Sequence, residues 1–146
     1  MSTYKVYITD YDYPDNDIEK SILEPIGAEV IGIQCKDGRG IEEQAQDADA
    51  LMVQYANISR STIENMPHLK VIARYGVGVD IVDIQAAQER GITCTNVVDY
   101  CTDEVSDHNI SLILMLARRI PMFVTETKKS AWHWSETGRE VRRFSS

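Results

Sequence analysis

The sequence predicts an α/β domain: a flavodoxin-like, doubly wound parallel sheet of five strands in the order 2-1-3-4-5, followed by a long helix and an arm. Two patterns predict it. Five short β-rich apolar runs alternate with stretches of helical spacing, and that alternation gives parallel strands joined by right-handed crossovers. Glycines and short polar residues fall just after several of these runs, so the loops leave the carboxyl ends of the strands. In open α/β sheets that is where ligands bind.

Residues 4–9 (YKVYIT) alternate and read as the first, central strand. Asp10, Asp12, Pro14, Asp15 and Asn16 make a polar turn that caps a helix over residues 17–23, which Pro25 and Gly27 end. Residues 28–33 read as the second strand, 36–40 as a plain loop, 41–46 as a short helix and 50–53 as a compact buried strand. Gln54, Tyr55, Ala56 and Asn57 leave the carboxyl end of that third strand. Ser59 caps a helix over residues 62–66, and Pro67 breaks it. Val71, Ile72 and Ala73 form the fourth strand, which Gly76-Val77-Gly78 ends with two residues free to take positive φ. Residues 83–90 have helical spacing, Gly91 stands where a helix C′ glycine belongs, and residues 92–95 are β-rich again. Thr102, followed by Asp103 and Glu104, offers an N-cap and an acidic first turn for a helix reaching about residue 120, which Pro121 kinks or interrupts. Ile110, Leu112, Ile113, Leu114, Met115 and Leu116 make it apolar nearly all round. Met122, Phe123, Val124, Trp132 and Trp134 follow on a charged, extended arm, where large apolar side chains need another surface to pack on.

At 146 residues the chain is one ordinary domain, and 43% hydrophobic with 26% charged residues suits a soluble globular protein. The net charge of −8 argues against nucleic acid or an anionic membrane as partner. It leaves open a small carboxylate, which feels local dipoles more than net charge. Arg139, Arg142 and Arg143 read as a solvated tail. Cys35, Cys94 and Cys101 are odd in number, lack zinc-ligand spacing and fit a reducing cytoplasm; no metal site is expected. The first ten residues lack the basic-then-apolar order of a signal peptide, and the apolar run over residues 110–117 is too short for a membrane span.

Gly76-Val77-Gly78 is the sharpest candidate site. Successive amides at a glycine turn form an anion-binding concavity that fits a carboxylate, although the glycines also serve the turn itself. The third glycine and acidic follow-up of a GxGxxG dinucleotide loop are missing. Arg74 closes the fourth strand beside the loop, placed either to steer a carboxylate or to pair with a surface acid. Tyr55 and Tyr100 lie just past strand ends, either reaching a ligand or covering the sheet edge. His68, His108 and His133 read as non-catalytic.

The runs LKVIARYGVGVD, AA-x-x-RGI and TN-x-x-DY-x-T-x-EV-x-x-H resemble the D-isomer-specific 2-hydroxyacid dehydrogenases, and within them the branch with phosphoglycerate dehydrogenase and the C-terminal-binding proteins. The resemblance is specific from about residue 69 to residue 119. It implies a substrate-binding domain over residues 1–101, then over residues 102–146 a helix and arm leading to an NAD-binding domain. It also implies substrate contacts from Tyr55, Gly76, Val77, Gly78 and Tyr100. The family counterpart of Thr102 lies near the nicotinamide, although capping alone explains Thr102 here. The family's catalytic histidine, its acidic partner and its substrate arginine fall beyond residue 146, so no catalytic residue is expected in this stretch. The expectation is therefore a chain cut before its nucleotide-binding strand. NAD would serve the full-length enzyme and none would bind these residues alone. A small 2-hydroxy or 2-oxo carboxylate would be the partner, and a homodimer would form through residues 102–134, from Thr102 to Trp134.

Other classes remain open. A non-catalytic binding or regulatory module keeps the same fold, and Asp10 with Asp12 resembles the acidic pair of a phosphoacceptor receiver domain. That reading fails where Gln54 occupies the acceptor position and the fifth strand lacks a lysine. A purely structural dimerisation domain using the helix and arm is the third.

Overall fold

Five short strands assemble into one parallel sheet in the order expected. In the computed structural model, which describes residues 4–139 and 141, β1 (Tyr4–Ile8), β2 (Ala28–Gly32), β3 (Ala50–Val53), β4 (Val71–Arg74) and β5 (Thr93–Asn96) line up as β2-β1-β3-β4-β5. The register pairs Tyr7 with both Ile31 and Leu51, Leu51 with Ile72, and Ile72 with Cys94. The middle of the sheet is thus β3, with β1 beside it. The first strand seeds the sheet, but later strands add on both sides of it, so it is interior rather than central.

Strand order dictates which face each helix covers. The β1-to-β2 crossover runs one way along the sheet and the later three run the other way. Right-handedness therefore puts α1 (Asp17–Leu23) on one face and α2 (Gly38–Gln44), α3 (Arg60–Glu64) and α4 (Ile84–Glu89) on the opposite one. The core follows the three-helix side. Tyr7, Leu51, Val53 and Ile72 from the sheet pack with Ile41, Ala45, Ile63, Met66, Ala86 and Ala87. No residue of α1 is buried.

Several boundaries differ from the sequence expectation, each for a local reason. Asp37 caps α2 by accepting from the Gly40 amide at 2.9 Å, so Gly38 to Gly40 are the first turn of a helix rather than a plain loop. Ser59 caps as expected, accepting from the Thr62 amide at 3.3 Å, but α3 starts at once with Arg60 and ends at Glu64, ahead of Pro67. Asn16, the residue before α1, makes no side-chain cap; the Asp15 carboxylate takes the Asp17 amide at 3.1 Å instead. Asp83 caps α4, and Gly91 closes it at φ +68°.

The described residues form two compact units, one up to Tyr100 and the other from Cys101 onward. The second begins with α5 (Thr102–Ala117), in which Thr102 is the first helical residue and Cys101 takes the cap position without a side-chain bond; Thr102 is therefore not the N-cap. The expected single long helix breaks at Arg118–Arg119, where Arg119 turns to φ +53°, and α6 (Ile120–Lys128) restarts with Pro121 in its first turn. Proline lacks the N–H and its ring collides with a preceding helical carbonyl, but it fits a first turn. The expected extended arm is folded as well. Helix α6 and the short α7 (Trp134–Thr137) close on each other, with the Phe123 and Trp132 rings 6.0 Å apart and the Thr137 hydroxyl bonded to Glu126. Among the described residues no helix is long and apolar enough to cross a membrane. Arg139 is exposed, whereas Arg142 and Arg143 lie outside the described residues.

Candidate functional site

The glycine loop after β4 is pinned at its start, middle and end. At its start the Tyr75 amide donates to the Val53 carbonyl at 2.9 Å. In the middle, the exit of β5 takes two successive carbonyls: the Val97 amide bonds Gly76 O at 3.1 Å, and Asn96 Nδ2 bonds Val77 O at 2.7 Å. At its end Val82 bridges to Ile58 of the loop after β3. The Gly76 amide is used internally, donating to Arg74 O at 3.0 Å. Among the described residues the amides of Val77 and Gly78 donate to nothing. Two successive unengaged amides on a fixed backbone are the elements of an anion cradle.

Only one of the two glycines needs positive φ. Gly76 sits at φ +147°, so the backbone demands glycine, and a Cβ there would also displace the tip of the Arg74 side chain. Gly78 has no such φ, and a Cβ on it would meet only Asp80 Oδ1 at 3.0 Å. Of the two glycines read as free to take positive φ, Gly76 alone uses that freedom. Arg74 folds back over Gly76; its Nε is buried without a partner, and among the described residues it joins no ion pair. A surface-acid partner, the commonplace alternative for this arginine, is not what the side chain has found.

The neighbouring loop, after β3, carries Tyr55 and is held by Asp10, which the sequence placed only in a polar turn and, with Asp12, in a receiver-like acidic pair. Asp10 is fully buried at the end of β1. Its carboxylate accepts from the amides of Tyr55 at 2.8 Å, Ala56 at 3.0 Å and Gln54 at 3.4 Å, and from the Thr9 hydroxyl at 2.8 Å. Gln54 returns the link, its Oε1 accepting from the Asp12 amide at 2.8 Å. Tyr55 itself is half exposed, with Lys36 Nζ 4.7 Å from its ring centre, and the neighbouring Asp12 carboxylate holds its phenol above the ordinary range. Its hydroxyl therefore stays a proton donor through neutral pH.

Tyr75, next to the glycines, is more enclosed. Its hydroxyl bonds Glu19 Oε1 at 2.8 Å and its ring meets Tyr13 edge-on at 6.1 Å. Burial first, and Glu19 second, push its phenol well above the usual value. Tyr100 lies four residues beyond β5 and is 62% exposed. Thr102 falls in the second unit. The structure thus gathers Tyr55 and the glycine loop at the exits of adjacent strands. It leaves Tyr100 on the surface past β5. His68 sits in an exposed turn, His108 is exposed on α5 and His133 is exposed before α7. Among the described residues no three His, Cys, Asp or Glu side chains are grouped as metal ligands.

Asp10 and Asn96 are the residues that sequence reasoning missed. A signal for Asp10 was present: an acid directly after a buried strand, ahead of other turn residues, is a poor candidate for mere solvation. For Asn96 only its place in the quoted TN-x-x-DY run marked it.

The fold and these loops define a class: a parallel α/β domain whose loops after β3, β4 and β5 leave the carboxyl ends of the strands, one of them a pinned glycine turn. The model for the catalytic domain of D-isomer specific 2-hydroxyacid dehydrogenases matches residues 6–140. The chain belongs to that family. It is 36% identical over 130 residues to D-3-phosphoglycerate dehydrogenase of Methanocaldococcus jannaschii, covering 88% of this chain and 24% of the relative. It is 36% identical over 138 residues to glyoxylate reductase of Pyrococcus horikoshii, covering 88% of this chain and 41% of the relative. Among solved structures, the NAD complex of formate dehydrogenase from Staphylococcus aureus superposes with a TM-score of 0.76 over 94% of this chain and 45% of that one, at 24% identity, which speaks to the fold alone. The chain thus spans less than half the length of each of these proteins.

Proposed function

We propose that this chain forms the substrate-binding side of an NAD-dependent oxidoreductase acting on the CH–OH group of a small D-2-hydroxy acid, or on the matching 2-oxo acid. The observation that carries the proposal is the pair of unengaged amides at Val77 and Gly78 on a pinned loop, with the unpaired Arg74 beside them. A carboxylate there receives two N–H donors and a neighbouring cation, while the rest of the acid extends toward Tyr55. Tyr55 supplies a hydroxyl that stays protonated, and we assign Tyr100, exposed beyond β5, to the same acid. Relatives named for phosphoglycerate and for glyoxylate share the carboxylate and differ in what is attached to it, so this loop accounts for the common group and not for the choice of acid.

Binding, orienting and shielding the carboxylate are the steps these residues perform. When bound, NAD supplies the hydride acceptor or donor. The residues described here do not fit that cofactor. Their glycine turn spends its first amide on Arg74, and α4 begins only at Ile84, so no helix N-terminus faces the glycines as a pyrophosphate cradle requires. We therefore assign the nucleotide cradle and the acid–base pair to residues other than those described, and place the reaction in the cytoplasm.

Titration of the ¹⁵N-labelled chain with glycolate tests the assignment. The Val77 and Gly78 amide signals should move and saturate with a Kd on the order of millimolar, matching about −4 kcal/mol. Sodium chloride at equal ionic strength should leave them in place. Glycolate shifts confined to other loops, or absent, would sink the assignment.

A further inference from the structure

We propose that Asn96 is a positioning residue for the amide cradle, an inference that rests on the carboxylate assignment above and adds what aims the amides. A trans peptide unit is planar, so its N–H points opposite to its C=O. The unit joining Gly76 to Val77 has its carbonyl held by the Val97 amide at 3.1 Å, and the unit joining Val77 to Gly78 has its carbonyl held by Asn96 Nδ2 at 2.7 Å. Both carbonyls therefore face the β5 exit, and both N–H groups face away from it. In an extended chain successive carbonyls point to opposite sides, so this same-side arrangement needs an anchor for each unit. The first anchor is a backbone amide, available whatever the side chain at residue 97. The second exists only because residue 96 carries a side-chain amide of this reach. Without it the Val77–Gly78 unit is free to rotate, and the Gly78 donor leaves the cradle for part of the time.

Asn96 is exposed and belongs to none of the buried clusters, and its recorded hydrogen bond is to Val77 O. A folding role does not explain a 2.7 Å bond from this exposed side chain into the glycine loop.

The test compares the whole 146-residue chain with Asn96→Leu, which keeps the branched shape at this exposed position and removes the donor without adding charge. Each is titrated with glycolate by ¹⁵N NMR, with the unfolding midpoint and the Val77 carbonyl ¹³C shift measured alongside. The inference expects the glycolate Kd to rise about three- to tenfold, the range of one lost hydrogen bond. It also expects the Gly78 amide response to shrink more than that of Val77 and the ligand-free Val77 carbonyl signal to move, with the unfolding midpoint nearly unchanged. A merely structural role would shift the midpoint and spare the ratio of the two amide responses. Should Asn96→Leu fail to fold, Asn96→Ser, whose hydroxyl is too short to reach, carries the same comparison. A Kd raised less than threefold overturns the role of Asn96 while leaving the cradle in place. A wild-type chain with no response at either amide overturns both together.

Discussion

Replacing Asp10 should loosen the whole Tyr55 loop, and the structure sets the size of the effect. The buried carboxylate takes two strong amide bonds, from Tyr55 at 2.8 Å and Ala56 at 3.0 Å, and a long one from Gln54 at 3.4 Å. Thr9 has a second acceptor in Met52 O at 3.2 Å, so its hydroxyl is not stranded by the change. Asp10→Ala therefore orphans two well-bonded amides and weakens a third. A buried donor left without a partner costs about 1–3 kcal/mol, and part is returned because a carboxylate no longer has to be desolvated. The net loss should be about 3–4 kcal/mol, a large share of the roughly 5–15 kcal/mol that holds a domain together. Asp10→Asn keeps the shape and one acceptor oxygen but turns an NH₂ toward an N–H, so about 2 kcal/mol is expected. Urea unfolding gives both numbers. Hydrogen exchange at the Tyr55 and Ala56 amides should quicken in Asp10→Asn while Leu51 and Ile72 in the core stay protected. An Asn variant within about 0.5 kcal/mol of wild type, the scatter of an ordinary surface change, would refute the reasoning.

The two glycines of the site should separate cleanly. Gly76→Ala strains a positive φ and displaces Arg74, costing about 1–3 kcal/mol in urea unfolding, whereas Gly78→Ala should stay within about 0.5 kcal/mol and weaken glycolate binding instead. Stability should also fall at both ends of the pH range. The Tyr75 phenol is raised in the fold, so its contribution is complete below about pH 10, the unfolded value, and is lost as pH climbs beyond; Tyr75→Phe should flatten that alkaline limb in thermal scans. The Asp49 carboxyl is held low, first by Lys70, so its contribution is complete above about pH 4 and is lost on further acidification; Lys70→Met should flatten the acid limb. Finally, no residue of α5 is buried, and Ile110, Ile113 and Leu116 are 56%, 62% and 70% exposed. Burying each is worth roughly 1.5–3 kcal/mol, so a homodimer using α5 and α6 is expected in sedimentation at micromolar concentration, and Ile113→Glu with Leu116→Glu should return a monomer.

Four of the strands were legible because each buries part of a short apolar run between punctuating residues, whereas β5, exposed at three of its four positions, was marked by its β-rich composition after Gly91. Gly91 and Ser59 were legible because each performs a local act that depends on its own neighbours in sequence, whereas Asp83, read as the first helical residue, is the cap before α4. The start of α2 was not, because Gly38 and Gly40 lower helix propensity and only the Asp37 cap offsets them. The second unit misled in two ways. A helix apolar on every side carries no periodic mark of where it stops, and the positive φ at Arg119 has no sequence sign. The folded arm depends on Phe123 meeting Trp132 and Glu126 meeting Thr137, contacts that charge counting hides. At the site, the glycine turn was visible, but its division of labour was not. That Gly76 spends its amide on Arg74 while Gly78 keeps its own depends on the Asn96 and Val97 anchors, 19 or more residues away.

Whether the Val77 and Gly78 amides hold a carboxylate is the claim on which the rest depends, and a crystal of the chain soaked with D-lactate tests it most directly. The account predicts one carboxylate oxygen within about 2.7–3.1 Å of each amide nitrogen, the range of such donors, with the Arg74 guanidinium turned toward the same group. Lactate bound elsewhere at these sheet exits, with both amides left to water or turned back into the loop, would contradict it.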